Sequence, residues 1–322
     1  MDSKKEQIIQ LWQTVFQDSD AFIHLYFEQV YKDENAFVIE KNGQIISALQ
    51  MHPYPMSFCG EELLAGYISG VCTLPSERGK GWMSKLLQNV SGEMKRRNIA
   101  LSTLIPAEEW LFGYYRSRGY TETFAYSIEV YLHSEHFIPA SDAIVVQQER
   151  EPKQIFYTYF ERKLRERPVC ILHTYKDFAV ILEDMELSGG FFFAASNPAG
   201  IPVGLAFVFP SGMAGNAGEE SVLCKEILYD NEETKQHLLY AITHRLNVHK
   251  VVCRIPASTR LQTYPYGMAQ MINPEPLIGL WLATHPESHL SAAEMKSMDR
   301  HLLTRRLLAS PEQTAYMSLM LD

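Results

Sequence analysis

A short basic turn between a buried strand and a helix constrains this chain more than any other stretch. Residues 63–74 form an apolar run that predicts a buried strand. From Met83 onward, apolar residues recur at the spacing of a helix face, at Leu86, Leu87, Val90 and Met94. Between the two lies the sequence Arg78-Gly79-Lys80-Gly81. This segment is therefore predicted to fold as strand, tight turn and helix.

The predicted turn has the chemistry of a phosphate site. The first backbone N–H groups of a helix have no partner within the helix, and the helix dipole favours an anion beside them. Gly79 and Gly81 allow the chain to curl and a phosphate to come close to the backbone, while Arg78 and Lys80 add positive charge. We expect the turn to bind a pyrophosphate. The alternative is a purely structural corner between strand and helix.

Two common nucleotide motifs are missing from the sequence, namely G-x-G-x-x-G with its acidic ribose ligand and G-x-x-x-x-G-K-[ST]. The turn instead resembles the Q/R-x-x-G-x-G/A signature of the GNAT superfamily of N-acetyltransferases. Arg78 takes the first position and Gly81 the first glycine, whereas Met83 stands where the family has Gly or Ala. In that family the turn binds the pyrophosphate of acetyl-CoA. The cofactor-binding residues that the resemblance implies here are Val71, Cys72, Thr73, Arg78, Gly79, Lys80, Gly81, Trp82, Met83 and Ser84.

A second element of the same family follows. Residues 99–105 predict a strand and residues 108–118 a helix, and the run from Tyr115 to Tyr120 resembles the family's Y-x-x-x-G-[FY] element. The resemblance implies that Tyr115 protonates the departing CoA thiolate. A tyrosine of ordinary pKa, about 10, stays protonated at neutral pH and can serve as that acid. The alternative is that Tyr115 is only a core residue.

The expected reaction is direct attack of a neutral amine on the acetyl carbonyl. A backbone N–H in residues 71–73 would stabilise the oxyanion if this strand separates from its neighbour. Glu108, Glu109 and His52 are candidates for the base that neutralises the incoming ammonium, and the sequence does not choose among them.

The order of elements around the turn occurs twice. In the first half, two helices precede a hairpin with Asn42-Gly43 at its turn, and the long strand follows. Beyond Pro139 the same order recurs, but the equivalent turn contains Asp230, Glu232 and Glu233 and neither glycine nor arginine. These carboxylates would repel a pyrophosphate. The second half is therefore predicted to be a degenerate copy that does not hold CoA.

This repeat predicts an α/β (α+β) chain of tandem acyl-CoA N-acyltransferase folds, each a mixed, mostly antiparallel sheet flanked by helices. The predicted units are a catalytic domain at 1–138, a degenerate domain at 139–272 and a short C-terminal region at 273–322. A capping box at Ser291 and Glu294 predicts a helix through Leu308 in this last region. Residues 264–268 lie where the first half has its Tyr115 element, and we assign them no chemistry.

The arrangement resembles the enhanced-intracellular-survival proteins, N-acetyltransferases of aminoglycosides and related polyamines. Their third region is a fuller sterol-carrier-like domain, of which the region here would be an abbreviated form. In that family the terminal carboxylate enters the active site and takes part in proton transfer. The resemblance implies such a role for Asp322, with Tyr316, Leu319 and Leu321 packing to anchor the segment. Docking for stability alone is the alternative.

The composition of the chain limits the classes of partner that we expect the protein to bind. A net charge of −9 argues against nucleic acid and favours a small-molecule amine, with a cationic acceptor as one option. The chain lacks an apolar run long enough for a bilayer and begins without a secretory signal, so we expect a cytoplasmic protein without membrane contact. Five scattered cysteines favour reduced core thiols, and Pro286 between His285 and His289 disfavours a zinc pair, so no metal is expected.

The sequence thus predicts an acetyl-CoA-dependent N-acetyltransferase acting on a primary amine. Two alternatives stay open: a non-catalytic CoA-binding or regulatory module, and a peptide or protein N-acyltransferase. A homo-oligomer is also left open.

Overall fold

The computed structural model describes residues 3–133, 143–211, 221–310 and 313–321. The predicted boundary between residues 138 and 139 lies outside these ranges, as does Asp322. The α-helices in the described ranges are α1 (Lys4–Val15), α2 (Asp20–Leu25), α3 (Trp82–Arg96), α4 (Glu109–Arg116), α5 (Gln154–Arg165), α6 (Tyr175–Leu187), α7 (Glu232–Leu246), α8 (Pro274–Thr284), α9 (Ala292–Ser297) and α10 (Arg300–Leu308). A π-helical turn, Tyr26–Val30, continues α2.

The strands in the same ranges are β1 (Ala36–Lys41), β2 (Gln44–Phe58), β3 (Glu61–Thr73), β4 (Leu101–Leu104), β5 (Thr121–Leu132), β6 (Val145–Glu149), β7 (Val169–Ile171), β8 (Phe191–Ser196), β9 (Pro202–Pro210), β10 (Ser221–Tyr229), β11 (Lys250–Pro256), β12 (Thr263–Met271), β13 (Ala309–Ser310) and β14 (Gln313–Thr314). Strands β1 to β12 form one sheet in the order β1-β2-β3-β4-β12-β5-β11-β10-β9-β8-β6, with β7 on β2. Only β3–β4 and β10–β11 pair in parallel among the described strands. The predicted mixed, mostly antiparallel sheet flanked by helices is confirmed.

The two halves exchange strands at the centre of this sheet. Strand β5 of the first half pairs with β11 of the second, and β12 of the second half lies between β4 and β5 of the first. Residues 264–268 were predicted to lie where the first half has its Tyr115 element, which is helical. That prediction is wrong, because these residues lie in strand β12. The exchange joins both halves through a continuous ladder of backbone hydrogen bonds.

Helix α3 packs as its periodicity predicts. Its buried residues are Leu86, Leu87, Val90 and Met94. They pack with Leu49, Met51 and Ile68 of the sheet. Each fully buried apolar side chain contributes about 1.5 to 3 kcal/mol relative to exposure. This packing fixes where the N-terminus of α3 lies relative to β3.

The C-terminal region differs from its prediction in one respect. The capping box at Ser291 and Glu294 is present, but the expected single helix is two helices, α9 and α10. The break occurs because Met298 is extended and the Asp299 side chain accepts hydrogen bonds from the N–H groups of His301 and Leu302, which starts a new helix.

The segment after these helices is docked. Residues 315–320 are buried, and the backbone of Tyr316 bonds to β7 through Val169 (3.0 Å) and Ile171 (3.1 Å). The predicted docking is therefore confirmed for Tyr316 and Leu319. Leu321 is half-buried at the end of the described chain.

Candidate active site

Strand β3 carries a bulge at Gly70. Its register with β2 shifts there, so that Gly70 and Val71 together lie opposite Leu49. Gly70 has φ +57°, and a Cβ added to it would lie 2.3 Å from a ring carbon of Trp12. Only glycine fits both the left-handed backbone and this contact. The bulge redirects β3 just before the predicted cofactor segment.

Beyond this region β3 has a free edge. The pairs between β3 and β4 end at Tyr67 and Thr103, whereas β3 continues to Thr73. Val71, Cys72 and Thr73 lie in this stretch, and Cys72 and Thr73 are still paired with β2 on the other side. Among the described residues, β3 thus has no strand partner on this side beyond Tyr67, and the oxyanion role of residues 71–73 stays a prediction. An extended ligand can bond to such an edge as an added strand does.

Cys72 is a core residue of this stretch. Its side chain is 3% exposed, and burial raises the pKa of the thiol to about 12. The thiol therefore stays protonated at neutral pH and is not a nucleophile.

The turn after β3 opens onto the N-terminus of α3. Gly79 has φ +78°, and Gly81, the N-cap residue of α3, has φ +82°. Nothing lies within 4 Å of a Cβ added at either position, so the backbone conformation and not crowding requires glycine. No described side chain caps α3. Helix α3 begins at Trp82, and the N–H groups of Trp82, Met83 and Ser84 have no partner within the helix. They lie beside an open space that suits an anion.

The charges of the turn differ from the expectation in one respect. Lys80 donates to Glu77 (2.9 Å), as does Lys41 (2.9 Å), and the indole N–H of Trp82 lies 3.3 Å from the same carboxylate. The bond from Lys80, followed by that from Lys41, lowers the pKa of Glu77 to about 2. Lys80 thus shares the single carboxylate of Glu77 with Lys41, so its charge is partly compensated by a residue for which no role was predicted.

Arg78 keeps its charge available. Its side chain is exposed, and Nε donates to the carbonyl of Thr73 at 3.3 Å. Among the described residues, no carboxylate pairs with it. Arg78 is therefore the cation of the turn that is free to meet a phosphate.

A second arginine at this helix end was not predicted. The guanidinium of Arg118 donates to Ser84 Oγ from Nε (3.0 Å) and Nη2 (2.9 Å), and lies over the ring of Tyr114 at 3.3 Å. Arg118 occupies a variable position of the Tyr115 element, so the motif gave it no weight. Its basic character just before a Gly-Tyr pair was the only signal in the sequence.

Tyr115 lies on α4 beside the opening between β3 and β4. It is 5% exposed and packs in one apolar cluster with Ile68 and Leu104, while Met83 borders the same cluster. Burial raises its pKa above the ordinary value, so the hydroxyl stays protonated at neutral pH. Among the described residues, no group hydrogen-bonds to this hydroxyl. Tyr115 is thus buried and protonated, and its role as a proton donor stays a prediction.

A cavity of about 160 Å³ lies between the two halves. Three distant parts of the chain line this cavity. The first half contributes His52 and Tyr54, the second half His173 and Asp177, and the C-terminal segment Leu319 and Leu321. Of the three candidate bases, only His52 lines the cavity. Glu108 instead accepts a hydrogen bond from the Trp110 indole at 2.7 Å.

His52 belongs to a buried chain of hydrogen bonds. Its Nε2 lies 2.8 Å from the hydroxyl of Tyr26, which lies 2.7 Å from Ser69 Oγ on β3. Burial lowers the pKa of His52 to about 4, so the imidazole is neutral at pH 7. Nδ1 has no partner among the described residues. The network thus links the cavity to β3 near its free edge.

The equivalent turn of the second half offers no anion site. Between β10 and α7, the Asn231 side chain accepts the N–H of Thr234 and caps the helix. Asp230 binds the hydroxyl of Tyr159 (3.1 Å) and the guanidinium of Arg162 (3.1 Å). The expected contrast between the two turns is therefore present.

Neither a metal cluster nor a membrane span is found in the part of the chain that the structure describes. His285, one of the two histidines considered for zinc, stacks on Trp281 with ring centroids 4.3 Å apart.

Comparison with known proteins agrees with this geometry. Residues 1–123 match the sequence profile of a family described as acetyltransferase (GNAT) domain. The structure resembles a protein from Enterococcus faecalis described as a probable N-acyltransferase, with a TM-score of 0.71 and 14% identity over 85% of this chain and 72% of that one. A GCN5-related N-acetyltransferase from Anabaena variabilis gives 0.70 and 15%, over 86% and 73%. Eis1 from Mycobacterium abscessus gives 0.65 and 11%, over 87% and 75%.

No curated protein sequence matches the chain. At these identities the solved structures establish a shared fold, which extends over both halves of the chain.

Proposed function

We propose that the chain is an acyl-CoA-dependent N-acyltransferase, because residues 1–123 match an acetyltransferase (GNAT) domain model and the fold of both halves resembles that of N-acetyltransferases. Specifically, it moves an acetyl group from acetyl-CoA to the amine of a small-molecule acceptor. The observation that carries this proposal is the free edge of β3 leading to the uncapped glycine turn of α3. An extended pantetheine followed by a pyrophosphate matches this succession of sites.

The cofactor would be held by backbone and charge together. Residues 71–73 of β3 would bond the pantetheine amides along the free edge. The pyrophosphate would accept hydrogen bonds from the first N–H groups of α3, from Trp82 to Ser84. Arg78 would pair with it directly, and Arg118 would add charge through its position at Ser84. Lys80 contributes less than its sequence position indicates, because Glu77 already partly compensates its charge.

The cavity between the halves would hold the acceptor. Its nitrogen forms a bond to the acetyl carbon while the carbon–sulfur bond breaks, and an N–H in residues 71–73 stabilises the oxyanion. Tyr115 gives its proton to the sulfur. His52 takes a proton from the nitrogen and passes it to water, with Tyr26 bonded to its far side. The Asp322 carboxylate remains a second proposed proton acceptor.

The place of action is proposed to be the cytoplasm. None of the five cysteines, all of which lie in the described ranges, forms a disulfide, and four of them are buried. This usage is typical of proteins in reducing compartments.

Two measurements test the function. Calorimetry of the full chain with acetyl-CoA is expected to give one saturable site, and thiol release is expected with at least one member of a panel of amines. Bound acetyl-CoA without turnover on any amine would favour the non-catalytic module. Absence of binding would remove the function altogether.

A further inference from the structure

We propose that the acceptor carries a carboxylate besides its amine, as amino acids and short peptides do, and that the cavity between the two halves selects it by charge. The inference rests on the proposed function and concerns only which amine is used. Its basis is the set of charges that line the cavity.

The rim of the cavity offers two free cations. Three described lining residues carry a full charge: Lys32, Lys176 and Asp177. The Asp177 carboxylate already accepts hydrogen bonds from the N–H (2.8 Å) and the hydroxyl (2.7 Å) of Thr174 in the capping box of α6. Lys32 and Lys176 are exposed, and neither ammonium group has a hydrogen bond or ion pair with a described residue. The hydrogen bonds to Asp177 come from neutral donors, so Asp177 keeps its negative charge, and a carboxylate entering the cavity meets two unpaired ammonium groups against this one carboxylate.

The inner wall is uncharged and accepts hydrogen bonds. His52 is 7% exposed and His173 is 3% exposed, and burial lowers the pKa of both imidazoles, so they are neutral at pH 7. His173 Nε2 bonds to the carbonyl of Ser318 at 3.0 Å. A carbonyl only accepts, so Nε2 carries the hydrogen and Nδ1, which has no partner, keeps its lone pair. His173 Nδ1 is itself closed to solvent, so within this neutral wall His52 is the imidazole that an amine would meet, and an uncharged wall suits an amine better than a carboxylate.

The two regions together favour a bipolar acceptor. Its amine would meet the neutral His52, and its carboxylate would meet the lysines. A polyamine would instead place a second ammonium beside Lys32 and Lys176, where like charges repel. The net charge of −9, which favoured a cationic acceptor, does not decide this, because charges further away than about 10 Å are largely screened at ordinary salt.

Pairs of amines that differ only in a carboxylate test the inference. Suitable pairs are L-lysine with cadaverine and L-phenylalanine with phenethylamine, each assayed with acetyl-CoA by thiol release. We expect kcat/KM for the amino acid to exceed that of its decarboxylated partner by about tenfold or more, as for a lost charge-assisted hydrogen bond. Added salt is expected to reduce this preference.

A double variant, Lys32→Gln with Lys176→Gln, tests the assigned residues. The ratio of kcat/KM for the amino acid to kcat/KM for its decarboxylated partner is expected to fall towards one, while the affinity for acetyl-CoA is unchanged. Lys95→Gln is the matched control, because Lys95 is exposed on α3 and does not line the cavity. It is expected to keep the preference.

The outcomes separate the two proposals. Equal or better use of the decarboxylated amines overturns the inference and leaves the acyltransferase function standing. A preference that persists in the double variant overturns the assignment to these lysines. Failure to acetylate any amine despite bound acetyl-CoA overturns the proposed function and the inference with it.

Discussion

Tyr115 and Tyr120 are two tyrosines of one motif with different surroundings. The Tyr120 hydroxyl lies 2.7 Å from Ser102 Oγ, whereas that of Tyr115 has no partner among the described residues. Both rings are buried and pack on each other, with centroids 5.7 Å apart. The Tyr120 hydroxyl therefore has a structural partner, whereas the Tyr115 hydroxyl, which has none among the described residues, is the one that we propose donates a proton.

Tyr115→Phe is expected to lower turnover by about a hundredfold or more, because a general acid is lost, with acetyl-CoA affinity nearly unchanged. Thiol release and calorimetry measure the two effects. Tyr120→Phe is the matched control, which removes a buried hydrogen bond worth about 0.5 to 1.5 kcal/mol of stability but no proton donor. Equal turnover by Tyr115→Phe and the parent would remove Tyr115 from the mechanism.

Tyr26 supports His52 from the side away from the cavity. Tyr26→Phe keeps the ring contacts with Trp12 and Phe27 but removes the hydroxyl bonded to His52. We expect turnover at pH 7 to fall by about tenfold or more, because the base loses its partner. The loss is expected to shrink above the pKa of the acceptor ammonium, where the amine is neutral without help.

The pH profile of turnover measures this effect. His52, whose pKa is about 4, stays neutral throughout the alkaline range, so its own titration does not change the pH profile there. Tyr31→Phe is the control, since its hydroxyl bonds Asp33 outside the network at 2.6 Å. A deficit in Tyr26→Phe that is the same at every pH would indicate a structural role.

At the scale of elements, the chain contains two strand–turn–helix units with opposite chemistry. The unit of β3 and α3 has glycines, an exposed arginine and no side-chain cap. The unit of β10 and α7 has an asparagine cap and acidic residues in its first turn. The same backbone arrangement thus favours an anion in one half and excludes it in the other.

Arg78→Glu is expected to abolish acetyl-CoA binding, because it places a carboxylate beside the groups that would hold the pyrophosphate. The matched control is Glu232→Lys in the first turn of α7, where Glu232 is exposed and bonds only within its own helix, to Gln236 and Lys235. Calorimetry is expected to show parental affinity for this variant. An unchanged dissociation constant in Arg78→Glu, or a large effect in Glu232→Lys, would mean that the wrong turn has been assigned.

At the scale of the whole molecule, the C-terminal segment joins parts that are distant in sequence. Tyr316 bonds to β7 of the second half and stacks on Arg167, whose guanidinium lies 4.1 Å from the ring centroid. Arg167 pairs with the buried carboxylate of Glu226 at 2.8 Å. Beyond this anchor, Leu319 and Leu321 reach the cavity. The segment therefore completes a wall of the proposed acceptor site.

Deleting Leu321 and Asp322 is expected to lower turnover by about tenfold or more while sparing acetyl-CoA binding, since the deletion removes a wall residue and a proposed base. Asp322→Asn separates the two contributions, because it leaves Leu321 in place. Parental turnover in the deletion variant would make the segment purely structural. Parental turnover in Asp322→Asn alone would remove its side-chain carboxylate from the mechanism.

Local signals in the sequence determined the part of the molecule where we propose that the cofactor binds. The turn at Gly79 and Gly81 and the buried face of α3 depend on residues close together in the chain, whose backbone preferences and spacing do not need distant partners. Tyr115 was found in the same way, through a motif confined to one helix and the turn after it. These elements lie where the sequence predicts them.

Only the tertiary structure decided which charged side chains pair and where the proposed acceptor site lies. Glu77 pairs with Lys80 and also with Lys41, which lies 36 residues before Glu77 in the sequence. Strand β12 of the second half enters the sheet of the first half. The cavity takes its walls from three distant segments. No local sequence pattern predicts these contacts between distant residues, because they depend on which strands pair and which faces pack once the whole sheet has formed.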